Sequence, residues 1–144
     1  MLFLPLLLTL AFTSPTVVEV EVASTPEQLR TGLQGRLPLG ENEGMLFVLG
    51  KPQQARFWMK DVTFAIDMVF LDAEGSVDHI EAEVPPCPEL PCPVYRSKSR
   101  VSYVLELPAG WAHRHGLSEG DQVQVEPESG RVLVPHPGAK SPED

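Results

Sequence analysis

Residues 54–83 read QARFWMKDVTFAIDMVFLDAEGSVDHIEAE, and this stretch sets the expected fold. Three runs rich in β-branched, aromatic and long apolar residues are separated by turn-forming residues around Asp61–Ala65 and Asp72–Gly75. Strands read as runs of this kind bounded by turn chemistry. The expectation is a three-strand antiparallel meander: 54–60, 66–72 and 76–83. In its middle stands Asp67, within IDMVFLD. By alternation it shares a face with Val69 and Leu71, while Ile66, Met68 and Phe70 share the other. Either face is apolar, and an unpartnered carboxylate there costs several kcal/mol. A partner is therefore required. Lys60 is the nearest in sequence; Arg36, Arg56, Tyr95 and His79 are others. A structural ion pair, a loop-capping carboxylate and a ligand-facing Asp all satisfy the pattern.

Outward from this stretch the chain continues in short elements. TVVEVEV (16–22) alternates, with Val18, Val20 and Val22 opposite Glu19 and Glu21, as in a half-buried strand. Thr25-Pro26 and Gln28 form a capping box for a short helix carrying Leu29 and Leu33, ended by Gly32 or Gly35. MLFVL (45–49) reads as a buried strand. Residues 84–99 form a Pro-rich loop, and VSYVLELP is a strong strand. Ala109–His115 allow about two helical turns. QVQVE and RVLV close the domain. The expected class is mainly β (α+β), a small barrel or two-sheet stack with two short peripheral helices. It spans 16–134 as one domain, followed by a flexible tail over 135–144.

The 144 residues suit one domain with its own core. The net charge of −9 repels phosphate backbones and anionic membrane surfaces, so nucleic acid is not an expected partner. The 15 prolines and the single asparagine, Asn42, lean towards a thermostable protein. Leu2–Phe12 are apolar but too short to span a bilayer as an ordinary helix. Residues 1–14 are read as a signal peptide, with an uncleaved anchor as the alternative. The expected location is extracytoplasmic, periplasmic or secreted, with no membrane span after signal removal. In that compartment Cys87 and Cys92 of VPPCPELPCPVY are read as a disulfide that shapes the loop. Zinc would need further ligands, and no second Cys pair exists.

EGMLFV (43–48), FWMK (57–60), the Asp67 run, PC…CPVY (86–95), YVLELPAG (103–110) and GLSEGDQV (116–123) follow in one order. In that order and spacing they resemble the domain of unknown function 192 family, over residues 17 to 126. The resemblance implies a small, mostly β, often exported domain of bacteria or archaea. It implies no reaction.

Other patterns carry less. GLSEG (116–120) matches the nucleophile-elbow pattern G-x-S-x-G, but an elbow needs a strand before it and a helix after. Here the order is reversed, and a helix end followed by a turn is the better reading. His113 and His115 lie two apart on a helix, where a metal pair wants i and i+4. Met45, Met59 and Met68 are read as core rather than copper ligands. No metal or cofactor is expected. The working face is expected at the end of the 54–72 hairpin and the disulfide loop, with Trp58, Lys60, Asp67, Tyr95 and Arg36 as ligand-binding residues. The expected function is an exported, non-catalytic binding or accessory domain for a saccharide, peptide or envelope protein. The alternatives are a small enzyme with Asp67 as general base, or a structural envelope protein.

Overall fold

The computed structural model describes residues 14–137. The segment read as a signal peptide lies outside the described residues apart from Ser14, and so does the tail beyond Pro137. Strand β1 (Thr16–Ala23) is followed by helix α1 (Pro26–Thr31) and the long strand β2 (Glu43–Gln53). The capping box forms as its sequence requires: the Thr25 hydroxyl accepts from the Gln28 amide, and the Gln28 side chain accepts from the Thr25 amide at 3.1 Å. Carrying α1 between them, β1 and β2 lie parallel; every other neighbouring pair of strands is antiparallel.

The middle of the chain departs from the expected meander. Only Arg56–Phe57 form a strand, β3, and it does not pair with the IDMVFLD strand, β4 (Ile66–Leu71). It pairs with β6 (Tyr95–Arg96), inside the Pro-rich segment, as a separate two-stranded ribbon. The cause is local. Asp61 sits at φ 59, and the Val62 amide bonds back to the Met59 carbonyl at 3.2 Å. The chain turns there, and Met59 and Val62 both enter the core instead of alternating. Strand β4 pairs on one side with β5 (Val77–Val84) and on the other with β7 (Val101–Pro108).

After β7, helix α2 (Trp111–Arg114) makes one turn rather than two. Gly116 at φ 65 ends this region, and the Asp121 side chain accepts from the Ser118 amide at 2.8 Å, so S-E-G-D is a turn. Strands β8 (Gln124–Glu126) and β9 (Arg131–Val134) complete a seven-stranded sheet in the order β5-β4-β7-β2-β1-β9-β8. The sheet curls into a half-barrel. Its two outer strands approach at one end, where Ser76 bridges Gln122 and the Val77 amide donates to the Asp121 carbonyl at 2.8 Å.

Both faces of the sheet are apolar. One carries Val18, Leu46, Val69, Leu71, Leu105 and Leu107, closed by Trp111 and Leu117. The other carries Met45, Phe47, Ile66, Met68, Phe70 and Val104, covered by Leu33, Met59 and Val62. All six residues of β4 are buried, which explains why, Asp67 apart, it is apolar on both faces. The mainly β class with two short helices therefore holds, as a curled half-barrel. Cys87 and Cys92 form the expected disulfide, with Cα atoms 5.6 Å apart. Among the described residues no helix is long and apolar enough to cross a membrane.

Candidate functional site

Glu106 is the residue around which a site can be built. It lies in β7 between Met45 of β2 and Met68 of β4, its register partners on either side. Alternation turns it to the same face as Val104, towards the layer that contains Phe47 and Phe70. It is only 4% exposed. Burial pushes its carboxyl up to about 8, so at neutral pH the group is held mainly as the neutral acid. Among the described residues no protein group hydrogen-bonds its side chain. What its oxygens meet is a pocket of about 410 Å³.

The pocket lies between α1 with its following turn and the segment that begins at β3. Leu29, Arg30 and Leu33 form one wall, Phe57, Trp58 and Lys60 the other, and Phe47 lies deeper. Gly32 ends α1 at φ 46, and a side chain there would meet the Phe47 ring at 3.1 Å. Glycine therefore lets α1 sit close over β2. Phe57 and Trp58 point in different directions, as alternation requires. Phe57 packs edge-on against Phe47, with ring centroids 4.9 Å apart, whereas Trp58 is 46% exposed. The Lys60 ammonium lies 5.5 Å from the Trp58 ring centroid, within cation–π range. Arg56 also lines the pocket.

Of the five residues expected to bind ligand, Trp58 and Lys60 are brought together here. Asp67 is not. It is fully buried on the opposite face of the sheet, and its oxygens accept from the amides of Glu83 (2.8 Å), Gly110 (2.9 Å) and Ala112 (2.9 Å). The required partner is thus the backbone: this is the loop-capping arrangement, at the start of α2, and no Lys or Arg side chain shares it. Arg36 forms a two-point ion pair with Glu21 and lines a separate shallow depression with Leu37 and Leu39. Tyr95 stands opposite Phe57 in the ribbon and packs with the layer behind it.

Glu106 was missed in the sequence although its signal was present. VLEL sets a carboxylate inside an apolar strand, the same irregularity that drew attention to Asp67. A larger hollow of about 950 Å³ lies at the half-barrel's edge, lined by Pro15, Glu74, Tyr103, Gln122 and Leu133, but it contains no buried ionisable group. Among the described residues no three His, Cys, Asp or Glu side chains gather to hold a metal ion.

The model of the DUF192 family, described as Uncharacterized ACR, matches residues 9–125. The chain belongs to this family. Two crystal structures resemble this DUF192 chain. One, from Sinorhizobium meliloti 1021 and described as a "putative transcription regulator", is 30% identical with a TM-score of 0.67, covering 78% of this chain and 95% of that one. The other, a protein of unknown function from Novosphingobium aromaticivorans DSM 12444, is 32% identical with a TM-score of 0.69, covering 74% of each chain. No curated protein matches. The DUF192 assignment thus fixes the fold and leaves the activity open.

Proposed function

We propose that this protein is an extracytoplasmic binding or accessory domain whose working site is the pocket lined by Trp58, Lys60 and Glu106. The observation that carries the reading is Glu106: a buried carboxyl without a protein partner among the described residues, facing a pocket beside a half-exposed tryptophan. Buried polar groups are normally satisfied. One that faces a pocket of a few hundred Å³ is a natural point of ligand contact. The Cys87–Cys92 disulfide supports a location in an oxidising compartment. A saccharide, a peptide or a segment of an envelope protein suits the combination of an aromatic platform and a few polar groups.

The rival reading, an enzyme with Asp67 as general base, meets an obstacle in the three amides that occupy that carboxylate. A nucleic-acid role, suggested by the words attached to the S. meliloti relative, runs against a net charge of −9. The test is a thermal-shift screen of sugars, cell-wall fragments and peptides on wild type and Trp58→Ala. A ligand that raises the melting temperature of wild type and not of the folded variant supports the pocket. A ligand that stabilises both equally sinks it.

A further inference from the structure

The pocket is lined by three basic side chains and one acidic one, in a protein whose net charge is −9. The protein has 20 acidic and 11 basic residues, and four of its arginines and lysines are held in ion pairs among the described residues. Arg36 pairs with Glu21, Lys98 with Glu119, Arg114 with Glu41 and Arg131 with Glu126. Arg30, Arg56 and Lys60 all line the pocket, and none has an ion-pair partner among the described residues. The one acid that lines it, Glu106, is the buried one. Three cations without counter-charges around an opening disfavour a cationic guest and favour an anionic one.

We infer that the pocket takes a small organic anion: a ring that bears a carboxylate at one end and a neutral hydrogen-bonding oxygen at the other. The carboxylate lies among Arg30, Arg56 and Lys60. The ring lies against Trp58, with Phe57 and Phe47 beside it. The neutral oxygen accepts the proton of the Glu106 carboxyl at the floor. This assignment rests on the proposed binding role and gives it a ligand class. Acidic sugars and hydroxylated aromatic acids share the chemistry.

The floor sets a pH dependence. A carboxyl that donates must be protonated, and burial keeps Glu106 in that form at neutral pH. Once ionised it offers no donor and repels the guest. The groups that could alter this field from the surrounding elements are few. Helix α1 contributes Arg30, and β3 with the residues after it contributes Arg56 and Lys60. Strands β2 and β4 place only Met45 and Met68 beside Glu106. Glu21, in register with Met45 on the far side, is held by Arg36.

The test is a titration of the isotope-labelled full chain, read at the Trp58 indole signal, assigned with Trp58→Phe. The probes are 4-hydroxyphenylacetate with its amide, and glucuronate with glucose. The expected result is that at least one anion moves the signal at millimolar concentration, with its neutral counterpart about tenfold weaker or more. Binding of that anion should weaken as pH rises past about 8 in wild type. In Glu106→Gln, whose amide still donates, it should persist there. Lys60→Gln and Arg56→Gln should each weaken the anion and leave the neutral counterpart unchanged. If the neutral partner binds as well as the anion, or if wild type and Glu106→Gln share one pH profile, the anion assignment falls and the pocket stands. If none of the four moves the signal, the anion assignment is overturned, while the broader thermal-shift screen decides the pocket separately. Which anion binds tells an acidic saccharide from an aromatic acid.

Discussion

The Asp67 carboxylate accepts the amide of Ala112 at 2.9 Å across 45 residues of sequence, tying the first turn of α2 to the start of β4. Gly110, the residue at the helix N-cap position, has no side chain of its own to cap the helix. A strand residue takes that role, and the developing helix charge favours an anion there. Removing the carboxylate leaves three amides unsatisfied, two of them in buried hydrogen bonds. Asp67→Ala should lower stability by about 4 kcal/mol, since each stranded group costs about 1–3 kcal/mol. Asp67→Asn, which keeps one acceptor oxygen, should lose roughly half as much. Urea unfolding midpoints decide this. A loss below about 1 kcal/mol for Asp67→Ala would contradict the capping role.

Glu106 makes stability depend on pH in a definite direction. Its folded-state value is raised from 4.5 to about 8, so between those limits the folded protein holds a proton that the unfolded chain has released. Its contribution is most favourable below pH 4.5, declines as pH rises towards about 8, and is level beyond. The full difference is on the order of 5 kcal/mol. Glu106→Gln should remove that slope, and the variant should melt above wild type at about pH 9 and close to it at about pH 5. Parallel melting curves at both pH values would refute the burial effect.

His79 sits between two carboxylates, 2.8 Å from Glu81 and 3.1 Å from Glu119, and stacks on Phe70. Burial alone would lower its affinity for a proton, but the hydrogen bonds to Glu81 and Glu119 outweigh this and raise it above 6.5. The stabilising contribution is complete below about 6.5 and disappears as pH rises through the higher folded-state value. An NMR titration of the His79 ring should show a midpoint above 6.5 that falls in Glu119→Gln. A midpoint unmoved by that substitution would remove Glu119 from the account.

The disulfide closes a short ring, its cysteines five positions apart. The chain-entropy relation gives such a ring about 2 kcal/mol. A Cys87→Ser, Cys92→Ser double variant should fold, lose about that much stability, and exchange the Tyr95 and Arg96 amides faster with solvent. Unchanged exchange there would mean that the ribbon holds the loop without the covalent link.

Much of the fold was legible because it follows from single-strand rules. The capping box at Thr25, the alternation of Val18 and Val20, and the turn at Ser118–Asp121 are local, and each forms as written. The pairing of Arg56–Phe57 with Tyr95–Arg96 was not legible, because it depends on a chain reversal at Asp61 and on a partner almost 40 residues away. The site divided in the same way. Trp58 and Lys60 announced themselves by residue type. Glu106 was hidden inside an apolar strand whose face, and whose neighbours Met45 and Met68, are set only by sheet register.

The sheet order has a consequence for timing. Strand β1 is flanked by β2 on one side and by β9 on the other, with Thr16 opposite Val134. Among the described residues, the first strand thus receives its second neighbour from the last. A ribosome that has delivered only residues up to about 130 holds a chain with one rail of β1 bare. Completion of this domain waits for residues 131–134, once β9 is free to meet β1.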